Sequence, residues 1–427
     1  MRTSCICLAL LASAGLASGG CGGAGEPSLA LTDGVAVALE GCAYSFQTPK
    51  ETTAPVKDDG AVGTTAVDPR NLHLAYVGDP KTTIAVTWST GIDTRGTVVE
   101  WGADASYGHK TPGFWFAYPA DLSGSDPPSV GVHQVHLCGL APGTTYHYRA
   151  GTAGHMSADA TFSTAPADGR PVRILVAGDS RGNAATWGQV LQAGAGEAPD
   201  LAIFTGDAND LGSIQDDWEA WFAAGKGVLE HLPLMMVHGN HEINARHYFS
   251  QFPMPGNQQW YSFDFGQAHA TVLNDTPPSN DQGSIAGAQK TFLDDDLGKT
   301  AQTWKLVSHH RPAYTASLGH APSTDLQMAW EAIFDSRKVD MVLNGHAHAY
   351  ERSYPLQAGQ VVADGQGPVY IVEGGGGADP YMVAAQTFTA KAMQTFGYVI
   401  LDVTAQKLTM TAKDLSGSVV DTYSITK

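Results

Sequence analysis

Six residues of metal-binding type stand in one recurring setting in this 427-residue sequence, at the end of a short apolar run. Asp179 follows the run 174–177 and Gly178, and Asp207 follows 201–205 and Gly206. Asn240, with His241 beside it, follows 234–238 and Gly239. His310 follows 305–309, and His346, with His348 two residues on, follows 341–344 and Gly345. Imidazoles mixed with carboxylates suit Zn, Fe and Mn, whereas an all-oxygen set would suit Mg or Ca. A carboxylate shared by two such ions holds them roughly 3.5–4 Å apart, the spacing used for in-line displacement at phosphorus. The pair neutralises phosphate charge, acidifies a bound water and steadies the leaving oxygen. A single Gly-Asp after a strand is ordinarily a turn, and His346-Ala-His348 is a metal pair only because i and i+2 share a face in extended chain. Five such places in one chain go beyond turn chemistry.

The elements that must position these residues follow from the pattern. Continuous apolar runs alternate with helical patterns at 213–229, where Trp218, Trp221 and Phe222 share a face, and at 326–334. Closing strands are expected at 369–372, 398–403, 407–412 and 419–425. Buried strands alternating with helices predict a layered α/β domain over 171–427, an α/β/β/α sandwich. The carboxyl ends of such strands line one crevice, which brings residues distant in sequence to one edge. The glycine before Asp179, Asp207, Asn240 and His346 allows a tight turn and close backbone approach. Upstream, short alternating strands at 83–88, 96–101, 133–137, 145–150 and 160–163, separated by turn residues, predict an all-β sandwich over 70–166. With Trp88 in an early strand and a turn at 140–146, this part resembles a fibronectin type III-like module. The chain is thus read as multidomain, all-β followed by α/β.

Composition bounds the function. With 43% hydrophobic and 15% charged residues the chain can bury a large core, and its net charge of -18 disfavours nucleic acid and anionic membranes. The same charge would repel a phosphate ester, so a phosphate site needs local positive charge, which bound metal ions supply. Residues 1–20 read as an export signal, with Arg2, an apolar stretch at 6–16 and small residues at 17–20, too short to span a bilayer. The expected location is therefore outside the cytoplasm of a bacterium: secreted, periplasmic, or a surface lipoprotein anchored through a lipid on Cys21. Residues 21–69 read as a linker or tether. In an oxidising compartment Cys42 and Cys138 can form a disulfide; the alternative is two unpaired thiols.

The blocks Gly178-Asp179, Gly206-Asp207, Gly239-Asn-His-Glu242, Val307-Ser-His-His310 and Gly345-His-Ala-His-Ala-Tyr-Glu-Arg352 resemble the five motifs of the purple acid phosphatase-like family, within the calcineurin-like metallophosphoesterase superfamily. The resemblance implies a bridging Asp207. One metal would be held by Asp179, Asp207 and His348, and the second by Asp207, Asn240, His310 and His346. The cofactor implied is two metal ions: Fe with Zn, Mn or a second Fe. His310 is preferred to His309 because the family block reads Val-x-x-His, which Val307 satisfies at His310. The resemblance further implies that His241 hydrogen-bonds the phosphate or its developing charge. His320 falls where the family often carries a histidine that protonates the leaving group. Glu351 and Arg352 are expected to brace the His346–His348 loop.

The sequence departs from the family at the second block. The metal-binding tyrosine three residues after the bridging aspartate is replaced by Asp210, and the superfamily's histidine two residues after its first aspartate is replaced by Arg181. Asp210 is either an oxygen ligand in the tyrosine's place or a cap for the helix beginning near Ser213, with water completing the coordination. Arg181 is either a phosphate clamp or an ion-pair partner of Asp210. The function implied is phosphomonoester hydrolysis by a metal-bound hydroxide. A phosphodiesterase or nucleotidase with the same cluster is the near alternative, and a non-catalytic surface- or polymer-binding protein the distant one.

Overall fold

The computed structural model describes residues 35–121, 124 and 126–427; the expected signal segment and Cys21 lie outside the described residues. The amino-terminal part is two antiparallel sheets. One runs Val56–Lys57, Phe114–Tyr118, Val130–Cys138, Thr83–Thr90, Arg70–Ala75, and the other His155–Met156, Thr145–Thr152, Val98–Gly102, His109–Pro112, with Ala160–Ser163 also on Thr145–Thr152. Alternation along each strand sends Leu74, Val86, Trp88 and Val135 of one sheet and Val99, Tyr148 and Phe162 of the other into a shared core.

Residues 35–69, expected as a tether, are partly woven into this module. Ala36–Ala38 pairs with Ser45–Gln47, Phe46 is buried with Phe116 and Tyr118, and Val56–Lys57 adds to a sheet edge. Cys42 and Cys138 form the disulfide, with Cα atoms 5.4 Å apart. Closing a loop of 96 residues in sequence separation, it fastens this segment to the sandwich.

The second part contains a six-stranded and a seven-stranded sheet. The first has the order Leu234–Met236, Leu201–Phe204, Val172–Ala177, Gly397–Val403, Lys407–Asp414, Val419–Thr426. The second has the order Tyr261–Phe265, Ala268–Val272, Trp304–Ser308, Met341–Asn344, Val369–Glu373, Tyr350–Ser353, Thr389–Met393. Side-chain alternation shows how the layers stack. Leu306, Leu343 and Ile371 join the core shared with Ile174, Val176 and Leu401 of the first sheet. Their neighbours Val307, Val342 and Tyr370 point the other way, onto Leu326, Trp330 and Phe334 of helix Thr324–Arg337. Helices Ala184–Ala195 and Gln215–Gly225 cover the outer face of the first sheet through Trp187, Val190, Trp218 and Trp221. The result is the α/β/β/α order expected.

Ring packing and hydrogen bonds join the parts. Tyr76 packs on Phe265 at 5.9 Å between ring centroids, and His73 stacks on Phe222 at 4.8 Å. Tyr118 donates to Gln215 at 2.7 Å and Tyr148 to the Glu230 carbonyl at 2.7 Å. No helix among the described residues is long and apolar enough to cross a membrane.

Candidate metal centre

Two sheets supply the site. In the first, Val172–Ala177, Leu201–Phe204 and Leu234–Met236 run parallel and lead into Asp179, Asp207 and Asn240. In the second, Trp304–Ser308 and Met341–Asn344 run parallel and lead into His310 and His346. Because the strands of each group point the same way, their carboxyl ends meet along one edge.

At that edge the backbone leaves the ordinary regions. Asp179, Asp207 and His346 have φ of 60°, 58° and 67°. Left-handed backbone costs an L residue roughly 1–2 kcal/mol, so three such turns at three candidate ligands mark stored strain at a functional place. Close approach explains the glycine before His346: a Cβ on Gly345 would lie 2.3 Å from Asp179 Oδ2. The run Gly374–Gly377, after strand Val369–Glu373, closes over the same turn, and a Cβ on Gly376 would lie 2.2 Å from the Gly178 carbonyl. Gly376 and Ala378 donate to the carbonyls of Gly178 and Asp179, both at 2.8 Å.

Ligand-type atoms converge on one point. His310 Nε2 lies 3.2 Å from Asp207 Oδ2, 3.1 Å from Asn240 Oδ1 and 3.2 Å from His346 Nδ1. Its other nitrogen, Nδ1, is held by the Thr205 carbonyl at 2.8 Å, which fixes the ring and points Nε2 inward. His348 Nε2 lies 3.8 Å from Asp179 Oδ1 and is buried with no hydrogen-bond partner. One imidazole nitrogen cannot satisfy three acceptors, and an orphaned buried nitrogen is costly, so the donor set fits a cation at its centre.

The electrostatics agree. Burial opposes charge on His310, yet the Asp207 carboxylate outweighs it and lifts the imidazole pKa to about 10, so the surroundings favour positive charge at this point. Burial pushes His346 down to about 2 and His348 down to about 4, which keeps both rings neutral with lone pairs available for a metal.

The other candidate residues line the approach. His241 N–H donates to Asp207 Oδ1 at 2.8 Å, and its ring Nδ1 meets the Asp210 carbonyl at 2.7 Å, which leaves Nε2 3.9 Å from Asp207 Oδ2. His320 lies with its ring centroid 3.9 Å from that of His346. Arg181 Nη2 stands 3.3 Å from Asp210 Oδ1, so the structure forms the ion pair that the sequence left open. The Asp210 side chain is 62% exposed, and its carboxylate faces Arg181. It caps no helix either, since the following helix starts at Gln215 after Ile214. Arg181, Asn183, Asp210, His348, Asp379 and Tyr381 line a cleft of about 340 Å³ over the ligands. Of the two expected braces, Glu351 accepts from Thr315 Oγ1 at 2.8 Å and from the Ala316 N–H. Arg352 turns away, to Asp421 at 2.7 Å.

Models of known protein families match three adjoining parts of the chain. "Purple acid Phosphatase, N-terminal domain" matches residues 69–164, "Calcineurin-like phosphoesterase" matches 172–350, and "Iron/zinc purple acid phosphatase-like protein C" matches 367–422. The chain belongs to the purple acid phosphatase-like family. Among relatives of this family it is 28% identical over 295 residues to purple acid phosphatase 23 of Arabidopsis thaliana, covering 58% of this chain and 62% of that one. It is 27% identical over 415 residues to acid phosphatase type 7 of Homo sapiens, covering 85% and 92%. The chain thus spans less than two thirds of the plant relative and nearly all of the human one. The fold is similar to that of the purple acid phosphatase from yellow lupin (Lupinus luteus) seeds, with TM-score 0.75, 21% identity, and 85% and 75% of the two chains covered. Purple acid phosphatases use a binuclear metal centre.

Four contributors were not singled out from sequence. Glu242 ends the block that carries Asn240 and His241, and its role through backbone amides left no signal in the sequence. Asp275 follows strand Ala268–Val272 and accepts from the Arg311 N–H at 2.6 Å and meets His309 Nδ1 at 3.1 Å, which holds His309 as a support behind His310. The four consecutive glycines 374–377 were a visible signal of close approach. Tyr381, discussed below, carried none.

Proposed function

We propose that the protein is a binuclear metal-dependent phosphomonoesterase of acid-phosphatase type. The observation that carries this is the convergence on His310 Nε2 of Asp207, Asn240 and His346, with His348 Nε2 orphaned nearby. Asp179, Asp207 and His348 would hold one ion and Asp207, Asn240, His310 and His346 the other, with Fe beside Zn, Mn or a second Fe matching the donor set. Bound there, two such ions supply Lewis acidity, charge neutralisation for the phosphate and a lowered pKa for water.

The chain's own groups do the rest. His241, fixed through Nδ1 by the Asp210 carbonyl, offers Nε2 to a phosphate oxygen or to the charge that develops on it. His320 donates a proton to the leaving oxygen. Burial, reinforced by the charge of His310, holds the His320 pKa below its usual value, so its acid form is populated at acidic pH. Arg181 presents a planar guanidinium at the rim, held ready by Asp210 and matched to phosphate oxygens. Asp210 acts through Arg181 in this reading rather than as a seventh ligand.

The Cys42–Cys138 disulfide supports an exported location, since such bonds persist in oxidising compartments. Comparing turnover of p-nitrophenyl phosphate with that of bis-(p-nitrophenyl) phosphate tests the function. Faster monoester hydrolysis is expected; faster diester hydrolysis would move the assignment to a phosphodiesterase, and turnover of neither after reconstitution with Fe, Zn and Mn would remove it.

A further inference from the structure

The loop that brings His320 to the cluster is held at three places. At its base, the Glu351 carboxylate accepts from Thr315 Oγ1 and the Ala316 N–H. In its middle, Ser317 bridges Val383, with Leu318 N–H donating to the Met382 carbonyl and Ala384 N–H to the Ala316 carbonyl, both at 2.8 Å. Near its tip stands the Tyr381 ring. One face of that ring stacks on His348, at 4.2 Å between centroids and 15° between planes, and its edge meets the His320 ring at 5.4 Å and 63°. Gly319 also packs against it: a Cβ at Gly319 would lie 2.4 Å from a Tyr381 ring carbon. The Tyr381 N–H is tied to the His348 carbonyl at 2.7 Å, so the ring cannot drift from the candidate ligand.

We propose that Tyr381 is a positioning residue, an aromatic wedge that keys His320 to His348 and so sets the leaving-group acid against the metal centre. The proposal rests on the phosphomonoesterase reading above. In the step it serves, water adds its oxygen to phosphorus while the ester P–O bond breaks. The departing alkoxide takes the His320 proton, the water's proton passes to solvent, and solvent reprotonates His320, yielding alcohol and phosphate. Packing by the ring does this work, and the phenol oxygen, which meets Arg181, makes a separate contact. Only Gly319 fits beneath the ring, which makes the loop and the wedge a matched pair.

The test uses leaving groups that differ in their need for a proton. p-Nitrophenolate leaves unaided, whereas the alkoxide of glycerol phosphate requires an acid. Tyr381→Ala and His320→Ala are each expected to cut kcat/KM on glycerol phosphate at least about tenfold while changing p-nitrophenyl phosphate less than about threefold. Tyr381→Phe, which keeps the ring and loses only the contact with Arg181, should keep the wild-type ratio of kcat/KM between the two substrates, and the Tyr381→Ala/His320→Ala double variant should lower that ratio no further than either single one, because both remove one function. Metal content should not change. Gly319→Ala, which pushes on the ring from the loop side, should repeat the Tyr381→Ala signature and serves if that variant folds poorly. Equal loss on both substrates, or loss of metal in Tyr381→Ala, would overturn the proposal while leaving the phosphatase reading intact. A wild-type protein inactive on both substrates overturns both.

Discussion

Glu242 accepts the backbone N–H of Asp207 at 3.0 Å, so the turn that carries the central carboxylate is fastened by a second carboxylate beneath it. The same Oε2 accepts from Gly239 at 2.7 Å and Oε1 accepts from Ala208 at 2.7 Å. One fully buried side chain thus joins the Asp207 turn to the Asn240 turn. Burial, with Asp207 adding repulsion, raises its pKa to about 7, and the three N–H donors are what favour the charged form.

This relationship makes Glu242→Gln informative. The amide nitrogen would face a backbone N–H that needs an acceptor, and the two turns would lose their common anchor. Metal affinity or turnover should fall on the order of 10–100-fold, the usual loss when a partner behind the ligands is removed. Metal titration of the folded variant measures it, and unchanged affinity with unchanged turnover would contradict the role.

The absence of a tyrosine at position 210 has a spectroscopic consequence. With Asp210 there, the loaded protein is expected to hold about two metal ions per chain, the binuclear case, yet lack a tyrosinate charge-transfer band. Metal analysis alongside a visible spectrum decides this, and an intense band would mean that a tyrosine reaches the metal after all.

The ion pair at the rim separates two roles. Arg181→Ala should raise KM for a phosphomonoester about tenfold or more, given 1.5–3 kcal/mol for hydrogen bonds to charged groups. Asp210→Asn should alter KM and leave metal content alone, because in this reading the Asp210 carboxylate serves Arg181. Loss of one metal ion in Asp210→Asn would instead make it a ligand.

Away from the site, His269 gives the fold a dependence on pH. Its nitrogens lie 2.7 Å from Asp264 and 2.9 Å from Asp296. Burial lowers its pKa, but the two carboxylates outweigh this and hold it at about 9. The folded value exceeds the unfolded one of about 6.5, so the stabilisation is full below pH 6.5 or so and fades as pH rises through about 9, at a scale of order 3 kcal/mol. His269→Gln should therefore melt well below wild type at pH 6, and the gap should close toward pH 10. A gap that stays constant across that range would contradict the assignment.

Much of this architecture was legible in sequence, and the reasons are particular. The ligand-bearing strands read clearly because a buried parallel strand is a continuous apolar run, and 201–205 could hardly be anything else. Asp179, Asp207, Asn240, His310, His346 and His348 were legible because each ends such a run. Three supports were not. Glu242 acts through backbone amides, which leave no trace in a pattern of side chains. Tyr381 lies in a segment without periodicity and reaches His348 and His320 only through the closing of the Gly374–Gly377 turn. Residues 35–57 looked like a tether because short strands that depend on a disulfide and a neighbouring sheet edge carry little pattern of their own.

The central claim is that Asp207 joins two metal sites in a phosphomonoesterase. Turnover of p-nitrophenyl phosphate by wild type and Asp207→Asn, loaded with the same metals and checked for retained fold, tests it most directly. The account predicts rapid hydrolysis by wild type and loss of turnover, with depleted metal, in the variant. A folded Asp207→Asn protein that keeps both its metal and its wild-type rate would contradict it.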